Sequence, residues 1–202
     1  MPALRPKYHW SPQRRDRLIC LGSGLQADTG KSAQLLKGQL GTRPPIFVSV
    51  TMKGRLYKPL SPGIFGILAP CASQKFDQDI APLSVRMFWA DMVCDTSGYI
   101  QGLRHDKKNQ AITSYNKAAG YTIVFDNSET LRKKVCDAKK GYAADEIGLA
   151  VFDVNYDNGT TSCQPKFIKG NGDRIRMMKK ILKYFRDDYK DASKAPGCHS
   201  LT

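Results

Sequence analysis

The sequence predicts an α/β fold with parallel strands, and three features carry that prediction. Residues 46–52 form a short β-branched and aromatic run set between Pro44-Pro45 and Gly54, which reads as a buried strand. Residues 147–154 form a second apolar run broken only by Asp153, of the kind expected where both faces of a strand are covered in a parallel sheet. The third feature is alternation: helix, strand, insertion, strand, helix, strand, helix.

Taken in order, residues 1–17 are rich in Pro and Arg without periodicity and read as a loose tail. Residues 17–21 suit a short strand stopped by Gly22-Ser23-Gly24. Ala33, Leu35, Leu36 and Leu40 recur at near-helical spacing, and Gly41 closes that helix. The strand at 46–52 follows, then an irregular stretch with Pro59, Pro62, Gly63, Gly66 and Pro70. Val85, Phe88, Trp89 and Met92 predict a short helix over 84–93. Residues 121–125 read as a strand, and Asp126-Asn127-Ser128 with Glu129 supplies a helix start. Leu131, Val135 and Ala138 then share one face while Arg132, Lys133, Lys139 and Lys140 take the other, up to Gly141. After the strand at 147–154, Asp173 opens a second amphipathic helix, with Ile175, Met178, Ile181, Leu182 and Phe185, running to about residue 191. The organisation expected is a tail at 1–17, one domain over 18–190 with an insertion at about 60–122, and a tail at 191–202.

Composition bounds the function. With 202 residues, 41% hydrophobic and 25% charged, the chain is long enough for one core. Its apolar runs fall far short of the roughly 20 residues of a membrane helix. The N-terminal residues hold no apolar stretch of the length of a secretory leader, so as written the chain is not addressed to secretion. Six cysteines nevertheless form an even set with 15 conceivable pairings, and none lies in a Cys-x-x-Cys pair that would support zinc. Asn158-Gly159-Thr160 is a glycosylation sequon at Asn158. No metal or cofactor is expected. The 32 Lys and Arg against 18 Asp and Glu leave a net charge of +14, which invites a nucleic-acid partner, yet no recognition module accompanies the scattered basic residues. Gly24 to Ser32 imitates a phosphate-binding loop, but five residues separate its glycines where the pattern requires four.

From 110 to 163 the residues carry a family resemblance. Ala111-Ile112-Thr113-Ser114-Tyr115-Asn116, Gly120-Tyr121-Thr122-Ile123-Val124-Phe125-Asp126-Asn127-Ser128-Glu129-Thr130-Leu131 and Gly148-Leu149-Ala150-Val151-Phe152-Asp153-Val154-Asn155-Tyr156-Asp157 resemble the C-terminal part of glycoside hydrolase family 18. Upstream, Val48-Ser49-Val50-Thr51-Met52-Lys53-Gly54-Arg55-Leu56-Tyr57 resembles the preceding barrel strand, which ends Tyr-Gly-Arg-Ser in chitinases. The resemblance covers roughly 46–190 and points to a chitinase-like protein of arthropod type. It implies a partial TIM (β/α)8 barrel, the last strands and helices only, with a small α+β insertion.

It also implies a chemistry this chain does not complete. The family sets its acids on one strand as Asp-x-x-Asp-x-Asp-x-Glu, where residues two apart point the same way. Asp153 and Asp157 are the nearest set here and no glutamate follows them, while Asn155 and Asn158 hold no acidic proton. The expectation is therefore a chain with no catalytic residues, inactive alone, and at most a weak binder of chitin or N-acetylglucosamine oligomers. Phe152 matches the tryptophan that floors the sugar subsite, Arg55 matches the arginine lining the cleft, and Lys53 stands where the family has Tyr. A partner chain that completes the barrel is a further expectation, as is the extracellular location usual for the family. The alternative is a basic α/β interaction protein contacting nucleic acid or a protein partner.

Overall fold

A computed structural model describes residues 46–64, 66–67, 69–70, 85–88, 93, 98–140, 147–157, 167, 169–170 and 172–202. The strand expected at 17–21, the helix at 30–40, the loop at 24–32, Asn158 and four of the cysteines (Cys20, Cys71, Cys94, Cys163) lie outside them.

Two strands, β1 (Ile46–Thr51) and β7 (Ile147–Phe152), pair in parallel and in register from Ile46 opposite Ile147 to Thr51 opposite Phe152. The two apolar runs read from the sequence are thus side by side and run the same way. Val48 and Val50 of β1 and Ile147 of β7 turn towards helices α1 (Ser128–Lys140) and α2 (Asp173–Asp187). There they join Leu131, Val135, Met178, Ile181 and Phe185 in the main core. This layer is held by burial of apolar surface, about 1.5–3 kcal/mol for each fully buried large side chain. The carboxyl end of β7 is open, however: Phe152 is 57% exposed and so, at 60%, is Phe47 on the same face of β1, whereas Gly148 and Ala150 between them are half-buried. At that end the expectation of a strand buried on both sides is corrected. Among the described residues no closed barrel is formed.

Between β1 and α1 lies a five-stranded antiparallel sheet, in the order β3-β2-β6-β5-β4. Its strands are β2 (Gly54–Tyr57), β3 (Val85–Phe88), β4 (Arg104–Asp106), β5 (Ala111–Asn116) and β6 (Tyr121–Phe125). Two sequence expectations change here. Residues 85–88 are a strand rather than part of a helix, because their backbone groups pair with the edge of β2, Gly54 opposite Phe88 to Tyr57 opposite Val85. Residues 121–125 belong to this antiparallel sheet, paired with both β2 and β5, and not to a parallel one. Leu56, Ile112, Ile123 and Phe125 cover one face together with Tyr99 and Val93, and Tyr57, Ala111 and Val124 occupy the other against Ile67.

Helix α1 begins as its sequence predicts. The Asn127 side chain accepts the Thr130 N–H at 2.9 Å, and the Thr130 hydroxyl accepts the Asn127 N–H at 3.0 Å, a reciprocal cap that satisfies two otherwise unpaired donors. Residues 191–202, read as a tail, carry a short 3₁₀ turn and helix α3 (Ala195–His199). Cys198 of α3 is disulfide-bonded to Cys136 of α1, and both are fully buried.

Candidate functional site at the carboxyl ends of the parallel strands

In open or closed parallel α/β sheets the residues at the carboxyl ends of the strands are free of ladder pairing and project where a ligand can reach them. Here those ends are Thr51 and Phe152, directly opposite one another. The ladder continues one step further, with Met52 N–H donating to the Phe152 carbonyl at 3.1 Å. Register sets the open face: Phe47 opposite Gly148, Ser49 opposite Ala150 and Thr51 opposite Phe152 alternate with the core positions. The Phe47 ring lies over Gly148 so closely that a Cβ there would collide with it. The face therefore holds an aromatic ring at each end, about 13 Å apart along the strands, with small side chains between.

Chain reversal after β7 is made by Asp153, whose φ of 58° is left-handed. Asp tolerates this region better than most residues because its short side chain can bond locally. Its carboxylate turns back to β1: Thr51 Oγ1 donates to Oδ2 at 2.7 Å and Lys53 Nζ lies 2.9 Å from Oδ1. The Thr51 hydrogen bond, followed by that of Lys53, holds the Asp153 carboxyl below its ordinary 3.8. In turn the same hydrogen bond to Asp153 raises the Lys53 ammonium above its ordinary value. Lys53 Nζ also sits 5.2 Å from the centre of the Tyr156 ring. Thr51, Lys53, Asp153 and Tyr156 thus form one polar cluster beside the exposed Phe152.

Beneath this cluster a buried arginine fixes the geometry. Arg174, in the first turn of α2, donates Nε to Asp157 Oδ1 at 2.6 Å, Nη1 to the Met52 carbonyl at 2.8 Å and Nη2 to the Tyr156 carbonyl at 2.6 Å. A longer bond of 3.3 Å reaches the Asp126 carbonyl. One guanidinium therefore joins the end of β1, the β6–α1 junction, the 3₁₀ turn Val154–Asp157 and α2. Helix α2 needs this turn for another reason. The residue before it, Gly172, has no side chain to cap with, and Asp157 Oδ2 accepts the Ile175 N–H at 2.8 Å in its place. A second buried pair, Lys134 Nζ to Asp126 Oδ1 at 2.6 Å, supports α1 from the same side.

Of the residues singled out from the sequence, Phe152 stands exposed at the strand end. Arg55 lies in β2, opposite Val124 and Met87, half-buried beside Tyr57, with its Nε lacking a hydrogen-bond partner. The structure thus assigns Arg55 to the antiparallel sheet rather than to the parallel strand ends. Sequence reasoning missed the Lys53–Asp153 pair, which joins residues 100 positions apart, and the role of Arg174. Among the described residues there is no group of three His, Cys, Asp or Glu able to hold a metal ion, and no helix long and apolar enough to cross a membrane.

No protein-family model matches the chain, and no curated protein matches it. Among solved structures it is similar to a plant class V chitinase mutant from Cycas revoluta in complex with (GlcNAc)3, with a TM-score of 0.47 and 19% identity over 70% of this chain. A chitinase-like agglutinin from Robinia pseudoacacia gives 0.46 and 13% over 77%, and an immunomodulatory active chitinase from Trichuris suis gives 0.46 and 17% over 66%. The chain spans 38%, 37% and 35% of those three proteins, respectively.

Proposed function

We propose that this chain is a chitinase-like module of glycoside hydrolase family 18 type that binds N-acetylglucosamine-containing saccharides and has no glycosidase activity alone. The observation that carries the reading is the in-register parallel pairing of β1 and β7, which sets an exposed Phe152 ring at the carboxyl ends of both strands beside a fixed polar cluster. An aromatic face stacks on the apolar face of a pyranose, and adjacent hydroxyl, ammonium and carboxylate groups orient its hydroxyls. Arg55, one strand beyond Lys53, is the second contact offered.

The state of the described carboxylates at the mouth supports the proposed inactivity. Glycoside cleavage needs a protonated acid at the leaving oxygen, with its pKa raised towards the working pH. Asp153 is shifted the other way by Thr51 and Lys53 and stays ionised. Asp157 is buried with both oxygens occupied, by Arg174 and by Ile175 N–H.

The open face of Phe47, Gly148 and Ala150 is the side on which further staves, from a partner chain, would complete a barrel. A buried disulfide suits an oxidising, extracellular setting, where Asn158 would carry glycan. The arthropod type belongs to the same proposal.

Calorimetry with (GlcNAc)4 and retention on chitin beads test the reading. Binding should survive added salt, and Phe152→Ala should weaken it roughly tenfold, the scale of one aromatic stack. Absence of binding at millimolar saccharide, or hydrolysis of the oligomer that a single carboxylate substitution removes, would overturn it. The net charge favours the second reading, contact with nucleic acid, and a steep salt-dependent affinity for oligonucleotides without chitin retention would decide for that one.

A further inference from the structure

Helix α2 presents an outer face unlike that of its neighbour. On α1 the exposed positions alternate in sign, Glu129, Lys133, Asp137 and Lys140, so that unlike charges stand three or four residues apart. On α2 the exposed charged positions from 176 to 187 are five cations, Arg176, Lys179, Lys180, Lys183 and Arg186, and one acid, the terminal Asp187. At 100° per residue the five cations fall within an arc of roughly 120°, diametrically opposite Met177, Met178, Ile181 and Phe185 in the core. The stripe runs about 15 Å along the helix. Lys183 and Arg186 share a single carboxylate, Asp187, and remain 71% and 73% exposed.

Such a stripe destabilises its own helix. Arg176 with Lys180 and Lys179 with Lys183 are like pairs at four residues, and Arg176 with Lys179, Lys180 with Lys183 and Lys183 with Arg186 are like pairs at three. A face selected only for solubility would interleave signs, as α1 does. Repulsion of this kind is relieved by a multivalent anion laid along the helix, which also releases the counterions that the cations otherwise gather.

We propose that the outer face of α2 docks a linear sulfated polysaccharide. Two observations favour that polyanion over a nucleic acid. The stripe holds no aromatic ring on which a base could stack, and it lies on a convex helix rather than in a groove. The buried Cys136–Cys198 bond also suits an oxidising setting, where sulfated polysaccharides are the abundant linear polyanions. This inference is independent of the saccharide reading at the strand ends.

The test measures binding of a size-defined heparin oligosaccharide across a salt series, on the wild type and two triple variants. Lys179→Gln with Lys180→Gln and Lys183→Gln should weaken binding at least tenfold and flatten its salt dependence. Lys107→Gln with Lys108→Gln and Lys117→Gln removes the same charge from exposed turns of the five-stranded sheet and should change affinity less than twofold. Lys and Gln have similar helix propensities, so both variants should keep the wild-type circular dichroism, and with like-charge repulsion relieved the α2 variant should melt no lower than the wild type. Equal losses in the two variants would show an effect of net charge alone and overturn the proposal. Equal or tighter binding of an RNA duplex of matched charge would overturn it in favour of nucleic acid, and no heparin retention at physiological salt would end it outright.

Discussion

Replacing Asp157 tests the physical account of the site most directly. Asp157→Ala removes the carboxylate that receives Arg174 Nε at 2.6 Å and Ile175 N–H at 2.8 Å, and leaves the guanidinium in place. Arg174 is only 5% exposed and Asp157 only 6%, so water does not replace the lost partner. Breaking a buried pair from one side costs about 3–5 kcal/mol, because the remaining charge stays desolvated. For a chain of this length that corresponds to a fall in melting temperature of roughly 6–20 °C. Asp157→Asn keeps an oxygen for the helix N–H and should lose about half as much. Urea denaturation gives the free energies, with an unchanged m-value showing that the folded state is preserved. The double variant Asp157→Leu with Arg174→Met removes both charges at once and should recover much of the loss. A loss below 1 kcal/mol in Asp157→Ala, or a double variant as unstable as the sum of the two single ones, would show that Arg174 does not hold these four segments together.

Other outcomes follow from the same geometry. The Asp153 carboxyl should titrate below 3.8 by NMR, and Thr51→Val should move it upwards, since the Thr51 hydroxyl is its foremost support. Because the folded value is depressed, this group stabilises the fold above the unfolded pKa, and its contribution vanishes as the pH falls through the folded one. An Asp153 titration unmoved by Thr51→Val would refute the assignment. Reduction of Cys136–Cys198, or its replacement by two alanines, should cost about 4 kcal/mol, from a sequence separation of 62 residues in the chain-entropy account. Unchanged thermal melting under reducing conditions would contradict it.

What the sequence made legible was decided by local chemistry and by runs with a single reading. The apolar strands at 46–51 and 147–152 and the helices at 128–140 and 173–187 carry their own start signals and periodicity, and they stand close to where those signals put them. The segment 85–88 did not, because apolar residues at 85 and 88 fit a helix as well as a strand, and the edge of β2 decided between them. Strand β5 hides its core position for another reason: Thr113, Ser114 and Asn116 are buried but polar, so no hydrophobic alternation announces them. Ser114 meets that burial by donating to the Tyr99 carbonyl at 2.6 Å, a partner 15 residues away. Within the site, Phe152 was readable at a strand end. Lys53, Asp153 and Arg174 were not, since their roles depend on contacts across roughly a hundred residues.

The place of Arg174 has a consequence for how binding is measured. It works as a keystone: the roof of the mouth, the Met52 and Tyr156 carbonyls, and the footing of α2 bear on the same planar group. A saccharide that tightens the roof therefore tightens the whole helical layer, and a thermal-shift assay would register occupancy far from the sugar. The reverse holds as well. Loosening the footing would weaken the proposed saccharide binding although every side chain offered to the sugar is intact.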